Sequence, residues 1–386
     1  MAAEGDFDCD LVIIGAGLTG LSLACWLLEL SRQEKQRLPT VHLLEPRTDY
    51  HNDRTWCFWD KDHHPFRKLI SHRWFHWQVS KGLHKVSQSS KRTPYAMLPA
   101  GKVYQHALGC VESCPEFKLR QGVTVEDMEA SADGVLISTS TGRFRACAVI
   151  DTRPPVASQL SQYPGFWQVF TGYEIHCPGH GYSTDAARLM DFQPGEGHVC
   201  FVYLLPLDQD NLLVEWTEFS PGGELPDCQE RLEAWLNAQN FKEYTVNRSE
   251  SAALPMIPIS RSRQQGRVIK AGVGAGWMRA ATGYHFATCQ RNSAELAGQV
   301  LAAAASGHWD LRPFESRKRW LDWMDRVFLR ALRRHPEAAP DWFMGLFAVT
   351  KAEQMARFMN DQPRWRDAIA VAAALPTGPF LRAAFS

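Results

Sequence analysis

The chain has 386 residues, 45% of them hydrophobic, enough for two domains or for one large domain carrying an inserted sheet. Its 42 basic and 42 acidic residues leave a formal net charge of zero, so no global field draws it to nucleic acid or to acidic substrates. The ten cysteines are scattered singly, with Cys110 and Cys114 the nearest pair; neither a zinc pattern nor a disulfide framework is visible, and a reducing, cytoplasmic compartment is expected.

The uncharged stretch from Leu11 to Leu28 approaches the length of a membrane span. Its glycines and an acidic leader (Glu4, Asp6, Asp8, Asp10) speak against a span and against a signal peptide. DLVIIG reads instead as a strand buried on both faces. LTGLSLACWLLELSRQ has helical spacing, with Leu18, Leu21, Ala24, Cys25 and Leu28 on one stripe, and VHLLE returns as a second strand. This is a βαβ unit.

From Tyr50 to Thr93 the chain is rich in aromatics and histidines, but the spacing of His51, His63, His64, His72 and His76 matches no zinc helix. DGVLISTSTGRFRACAVIDTRPP predicts a hairpin and a strand running into a proline-punctuated loop. HVCFVYLLPL and NLLVEWTEF read as strands, Asp227 to Gln239 as a helix, GRVIKAGVGAG as a strand with a glycine turn, and ATCQRNSAELAGQVLAAAA as a long helix. RWLDWMDRVFLRALRR sets Trp320, Trp323, Met324, Val327, Phe328, Ala331 and Leu332 on one side and its arginines largely on the other, as in an interfacial helix or one packed on a domain. The expected fold is α/β, a Rossmann-like domain with an inserted mixed β-sheet domain and a helical C-terminus. Residues 1–60, 95–160 and 262–310 form the nucleotide-binding part, 61–94 and 161–261 the inserted sheet, and 311–386 the helical region.

GAGLTG places Gly15, Gly17 and Gly20 in G-x-G-x-x-G spacing between the strand and the helix, with Leu18 inside the motif. The first glycine permits the turn, the second lets a pyrophosphate approach the backbone, and the third lets helix and sheet pack closely. Glu45 ends the second strand, where a carboxylate can accept from the ribose hydroxyls of an adenosine. The bland alternative is a packing turn with Glu45 a solvated strand end. A second glycine turn, AGVGAGWMRAATGYHF, favours FAD over NAD, with Gly283 opening a helix whose N-terminal dipole faces the flavin.

LLVEWTEF holds two glutamates in a strand that looks buried. Alternation puts Leu213, Glu215, Thr217 and Phe219 on one face and Glu218 on the other. Apolar neighbours would raise the pKa of Glu215 and keep it protonated near neutral pH, as a general acid requires. Without further information, a solvated or arginine-paired carboxylate explains the same residue.

Together GAGLTG, NDRTWCFWD, VIDTRP, FVYLLPL, LLVEWTEF, LPMIP and GVGAGWMRAATGY resemble lycopene cyclases of the bacterial β-cyclase type, flavoproteins that share a fold with aromatic hydroxylases. The combination of RTWCFW, LLVEWTEF and ATGY is the specific part. The resemblance implies a redox-neutral acid–base cyclisation of the acyclic ends of lycopene to β-ionone rings, giving γ-carotene and then β-carotene. It implies reduced FAD as cofactor with NAD(P)H as reductant, and Glu215 as the catalytic acid. Cofactor contacts would come from Gly15, Gly17, Leu18, Gly20, Glu45, Arg54, Thr55, Gly272, Gly276, Thr282 and Gly283, and substrate contacts from Trp56, Phe58, Trp216 and Tyr284, with Trp59 a further wall. An oily carotenoid substrate further implies peripheral membrane contact from the cytoplasm. An FAD-dependent monooxygenase or reductase acting on an isoprenoid is the main alternative, and a non-catalytic carrier a second.

The sequence departs from the family pattern in three places. Ala280 and Ala281 stand where relatives often have proline and threonine, so a looser flavin loop is expected. Trp216 stands where some relatives are acidic, which argues against a carboxylate pair at 215 and 216. Gly272 is followed by Val273, so the Gly-Asp pair that holds the ribityl chain in many flavoproteins is absent.

Overall fold

The computed structural model describes residues 7–385 apart from 156–159, 161–164, 196, 222–226, 240, 242, 260–266 and 313–316. Glu4 and Asp6 of the leader, and the boundaries expected at 161 and at 261–262, lie outside the described residues.

In chain order, the opening unit is β1 (Cys9–Ile14), α1 (Leu18–Glu34) and β2 (Val41–Glu45). The aromatic segment forms β3 (Thr55–Trp59), β4 (His72–Trp74), β5 (His76–Lys81) and β6 (His84–Ser89), followed by β7 (Tyr95–Pro99) and α2 (Ala100–Glu112). Next come β8 (Phe117–Gln121), β9 (Val125–Ala130), β10 (Val135–Thr139) and β11 (Gly142–Asp151). The long strands are β12 (Phe166–His176), β13 (Ala186–Gln193), β14 (Val199–Pro206) and β15 (Asn211–Ser220), with β16 (Thr245–Met256) after α3 (Cys228–Ala238). β17 (Val268–Lys270) precedes α4 (Phe286–Ser306). Five further helices follow: α5 (Arg319–Arg334), α6 (Ala339–Val349), α7 (Ala352–Met359), α8 (Trp365–Ala373) and α9 (Thr377–Ala384).

The first sheet runs β8-β2-β1-β11-β10-β9, with β17 beside β11. Its centre is parallel, with Leu11 opposite Val41 and Ala148. Strands buried on both faces must be apolar throughout, which is why β1 and β2 read as continuous hydrophobic runs. α1 covers one face and is joined to α4 by Trp26, whose Nε1 donates to Gln290 Oε1 at 3.2 Å, while Gln290 Nε2 donates to Ser22 at 2.8 Å. Leu11–Leu28 is thus divided among strand, turn and helix, and among the described residues no helix is long and apolar enough to cross a membrane. All ten cysteines are free thiols.

The second sheet runs β16-β12-β15-β14-β13-β5-β6, antiparallel except where β13 meets β5. On one face α3 buries Leu232 and Leu236 against Val202, Val214 and Trp216. Asp227 caps α3, accepting from the amides of Gln229 and Glu230, so the helix starts one residue inside the expected range. The other face, with Leu213 and Phe219, packs toward the C-terminal helices and the small sheet β3-β7-β4.

Two local expectations are corrected. α4 begins at Phe286, after His285, so Gly283 precedes the helix rather than opening it. The loop before it is not loose: Ala280 and Ala281 are buried, Arg279 N donates to the Tyr284 carbonyl, and the amides of Thr282 and Gly283 both donate to the Arg279 carbonyl. The Arg279 guanidinium is itself buried and paired with Asp325 at 2.8 Å, which anchors the loop to α5.

Candidate functional site

The first glycine turn is shaped by backbone approach. Gly15 has φ +94°, where an L side chain is strained, and a Cβ on Gly20 would come 2.0 Å from the Gly15 carbonyl oxygen. Gly17 differs, because a Cβ there would meet only Arg47 Nη2, at 3.9 Å. Gly17 is also the N-cap of α1 and offers no side-chain cap, so the leading amides of the helix face an open cradle beginning at Leu18. Glu45 is buried at the end of β2. Its Oε2 accepts from Ala16 N at 2.7 Å, and its Oε1 from Arg47 N at 3.0 Å and Arg47 Nε at 2.9 Å. Arg47 lies over the Tyr50 ring at 4.5 Å, and the Tyr50 hydroxyl donates to the Ala16 carbonyl. The second glycine turn docks here, since a Cβ on Gly272 (φ +69°) would come 2.6 Å from Thr19 Oγ1 on α1. Gly276 (φ +72°) ends that turn.

A second cluster forms on the inserted sheet. Register places Glu250 of β16, Gly172 of β12, Glu215 of β15 and Tyr203 of β14 in one row across four strands. Gly172 has no side chain, and a Cβ there would sit 2.6 Å from Glu215 Cγ, so the Glu215 side chain lies over the gap that separates it from Glu250. The two glutamates are therefore neighbours although β12 separates their strands.

Their surroundings differ. Glu250 is 7% exposed; its Oε2 accepts from Arg248 Nη1 at 2.8 Å and from Thr55 Oγ1 at 3.1 Å. Arg248 Nη2 in turn donates to Thr55 Oγ1 at 2.8 Å, and its Nε to Glu174 at 3.2 Å. Among the described residues no cation forms an ion pair with Glu215. Burial, reinforced by the charge of Glu250, pushes the Glu215 carboxyl well above the usual glutamate range, with Arg248 opposing. The residue as a whole keeps intermediate exposure, so its carboxyl is packed round by protein without being sealed from visitors.

Around the pair stand Cys57, Tyr95, Tyr203 and Tyr284. The Tyr95 hydroxyl lies 3.0 Å from that of Tyr203 and 3.1 Å from that of Tyr284. Burial pushes all three phenols and the Cys57 thiol upward, so they remain neutral near pH 7. Trp59 packs edge-on against Tyr95 and Tyr284 at 4.9 and 5.3 Å. One proton-holding carboxyl amid neutral hydroxyls and aromatic rings is an arrangement for protonating an apolar molecule.

The sequence matches the family described as lycopene cyclase protein over residues 10–385. The chain belongs to the lycopene cyclase family. One relative, a chloroplastic lycopene beta cyclase of Nicotiana tabacum, is 25% identical over 239 residues, which is 52% of this chain and 46% of that protein. The aligned part thus spans about half the length of that curated relative. Among solved structures, a geranylgeranyl bacteriochlorophyll reductase-like protein from Thermoplasma acidophilum aligns with a TM-score of 0.62 at 10% identity, covering 97% of each chain. The p-nitrophenol 4-monooxygenase of Pseudomonas putida DLL-E4 aligns with a TM-score of 0.61 at 15% identity, covering 97% of this chain and 96% of its own. Aklavinone-11 hydroxylase, solved with FAD and aklavinone, aligns at 0.59 and 15%, covering 93% and 71%. At these identities the structural likeness establishes the fold, that of the FAD-binding aromatic hydroxylases.

Within this cyclase-family fold the expected site residues divide between places. Gly15, Gly17, Leu18, Gly20 and Glu45 meet at the first turn, and Gly272 reaches it through Thr19. Gly283 (φ +70°) instead packs over Gln168 and Leu254 of the inserted sheet. Arg54 pairs with its neighbour Asp53 at 2.7 Å. Thr55, expected at the cofactor, commits its hydroxyl to Glu250 and Arg248, while the Thr282 hydroxyl accepts from Tyr284 N at 3.4 Å. Tyr284 joins the acid cluster. Trp56 and Phe58 do not, because alternation on β3 turns them toward Phe286, with Phe58 stacked on it at 4.1 Å, whereas Thr55, Cys57 and Trp59 face the acids. Trp216, expected as a substrate contact, lies on the sheet face opposite Glu215, where its Nε1 donates to Glu218 at 2.8 Å beneath α3. Glu218 is more buried than Glu215, at 2% exposure, but Arg231 lies 3.0 Å away, so its charge is matched.

Sequence reasoning missed Glu250, Arg248, Tyr95, Tyr203 and Gly172. The pattern RSESA does set Arg248 and Glu250 on one face of a strand, but only the order β16-β12-β15 brings that face to Glu215. The carboxylate pair that Trp216 argued against at neighbouring positions exists across strands.

Proposed function

We propose that this chain is a lycopene β-cyclase, converting the acyclic ends of lycopene to β-ionone rings, γ-carotene first and then β-carotene. The observation that carries this reading is Glu215, whose carboxyl is kept protonated by burial and by Glu250. Glu215 donates its proton to a terminal carbon–carbon double bond, leaving a tertiary carbocation. A neighbouring double bond attacks that cation and closes the ring, and loss of one proton from the ring cation completes a β-end. One proton enters and one leaves, so no electrons are exchanged. Glu250 makes a lasting negative charge on Glu215 unfavourable and so favours its reprotonation. The Tyr284 ring lies near the acid with Trp59 packed edge-on against it, and these rings can face a passing cation.

The open cradle at Gly17 and the uncapped start of α1 fit the pyrophosphate of FAD, with Gly15, Gly20 and Glu45 shaping the turn and Gly272, Gly276 and Thr282 on the second loop. Bound in its reduced form, with NAD(P)H as reductant, the flavin would supply negative charge that favours a carbocation. A hydrocarbon substrate resides in bilayers, and the C-terminal helical region exposes Trp323, Val349, Trp365, Ile369, Leu381 and Phe385 as well as Arg326, Arg330 and Arg366. That mixture supports peripheral membrane contact from the cytoplasm.

Expression in a lycopene-accumulating host tests the reading: wild type converts the pigment to cyclic carotenoids, Glu215→Gln does not, and unchanged lycopene with wild type contradicts it. The reductase-like and monooxygenase neighbours motivate a second reading, a redox enzyme acting on an isoprenoid. Anaerobic incubation with lycopene and reductant separates them, since cyclisation leaves product mass unchanged while the rival adds hydrogen or, given air, oxygen.

A further inference from the structure

The C-terminal helices and the second glycine loop line a partly open cavity of about 270 Å³. Met324, Val327 and Phe328 of α5, Phe343 and Leu346 of α6, and Phe380 of α9 make its walls. Among the described residues its charged lining groups are Arg279 and Asp325, which bind each other at 2.8 Å, and Arg279 also lies over the Phe358 ring. This accounts for the apolar stripe of α5. The helix packs into the protein through Leu321, Leu329 and Leu332, while Trp323, Met324, Val327 and Phe328 from the stripe line the cavity instead of filling it.

The two ends of the cavity matter most. The rim carries Trp323, Ala372 and Leu381, all exposed and within the same helices that display the apolar and arginine-rich surface. The inner wall includes Ala281 and Thr282 of the second glycine loop. Thr282 is two residues from Tyr284, whose hydroxyl bonds Tyr95 in the acid cluster. At 3.3–3.6 Å per residue, two residues span at most about 7 Å. One short loop therefore borders the cavity on one side and the proton donor's surroundings on the other.

We propose that this cavity binds part of the unreacted length of a long, uncharged linear polyene while its end group stands at Glu215, the remainder passing out at the open rim. The proposal rests on the cyclase reading for the identity of the ligand. A hydrocarbon offers no hydrogen bonds, so it can be held only by apolar area and shape, which is what α5, α6 and α9 supply. The site thereby selects for chain length, while the acid pair acts on the end group.

The test uses full-length protein, lycopene in detergent micelles, and the shift of the polyene's own visible absorption as it moves from micelle to protein. That readout needs no turnover. Two plugs are placed on different walls, Ala372→Trp at the rim and Ala384→Phe on α9, each with its melting temperature compared with wild type. We expect lycopene binding at least tenfold weaker in both, and unchanged binding of a shorter acyclic polyene with the same end group. Glu215→Gln should bind lycopene as wild type does. Plugged variants that melt like wild type and bind and cyclise lycopene undiminished overturn the cavity's role and leave the cyclase reading standing. Wild type that binds lycopene in a plug-sensitive way but forms no ring upholds the cavity and refutes the reaction.

Discussion

The glycine turn at the head of α1 and the acid pair on the inserted sheet are built in opposite ways. At the turn, residues 15 to 20 are contiguous, and the working groups are backbone amides and carbonyls whose placement needs only absent side chains. At the acid pair, Thr55, Tyr95, Gly172, Tyr203, Glu215 and Glu250 come from six strands, β3, β7, β12, β14, β15 and β16, and the working group is one carboxyl whose pKa is raised by burial and by the charge of Glu250. A backbone site of this kind is suited to any dinucleotide, whereas a site assembled from distant side chains is specific to one chemistry. The fold neighbours agree with this division, sharing the architecture at 10–16% identity while carrying different activities in their names.

If chemistry resides in the side-chain site alone, changes there should stop ring formation and leave flavin binding intact. The largest expected effect is that of Glu215→Gln, which keeps shape and removes the transferable proton; cyclisation should fall about 10²–10⁴-fold with flavin content unchanged in the absorbance spectrum. Gly172→Ala comes next. Its new Cβ would stand 2.6 Å from Glu215 Cγ and force the acid aside, so turnover should fall on the order of 10²-fold, as for a misplacement near 1 Å. Product analysis with flavin content as the control checks both.

Glu250→Gln should cost roughly tenfold, about 1.4 kcal/mol, by removing the negative neighbour that helps hold the proton on Glu215. The sign can be followed in the pH profile. Activity needs the protonated acid, so it falls as pH rises through the Glu215 pKa; without Glu250 that pKa drops, and the alkaline limb should move to lower pH. A limb that stays or moves upward contradicts the pairing. Tyr95→Phe removes one hydroxyl lying between Tyr203 and Tyr284, worth about 0.5–1.5 kcal/mol, so a several-fold loss in steady-state rate is expected.

The same comparison explains what could be read from the sequence. The βαβ unit, its glycines and Glu45 are local and declare themselves through hydrophobic runs and spacing. Glu215 declares itself because an acid in an apolar strand is costly without a reason. Glu250 sits in TVNRSESAALPM, a strand with polar residues along half its length, and becomes half of a pair only because β12 lies between and contributes Gly172. Alternation correctly separates Glu215 from Glu218, and applied equally to Trp216 it places that residue with Glu218, on the face covered by α3. For Trp56 and Phe58 alternation says only that they share a face; the packing of Phe286 against β3 decides which. The α5 stripe is legible, yet its use as a cavity wall depends on α6 to α9.

Stability should follow the same proton. The folded protein holds the Glu215 proton more tightly than the unfolded chain, whose value is near 4.5, so stability present below that value is lost as pH rises toward the folded pKa. Glu215→Gln, which mimics the protonated form, should lose less stability over that rise. Infrared difference spectroscopy of wild type against Glu215→Gln at neutral pH observes the proton itself. A carboxylic acid C=O band present in wild type, absent in the variant and titrating away only well above the usual glutamate range is the predicted result. A Glu215 signal already in the carboxylate form at neutral pH would contradict the acid role assigned to it.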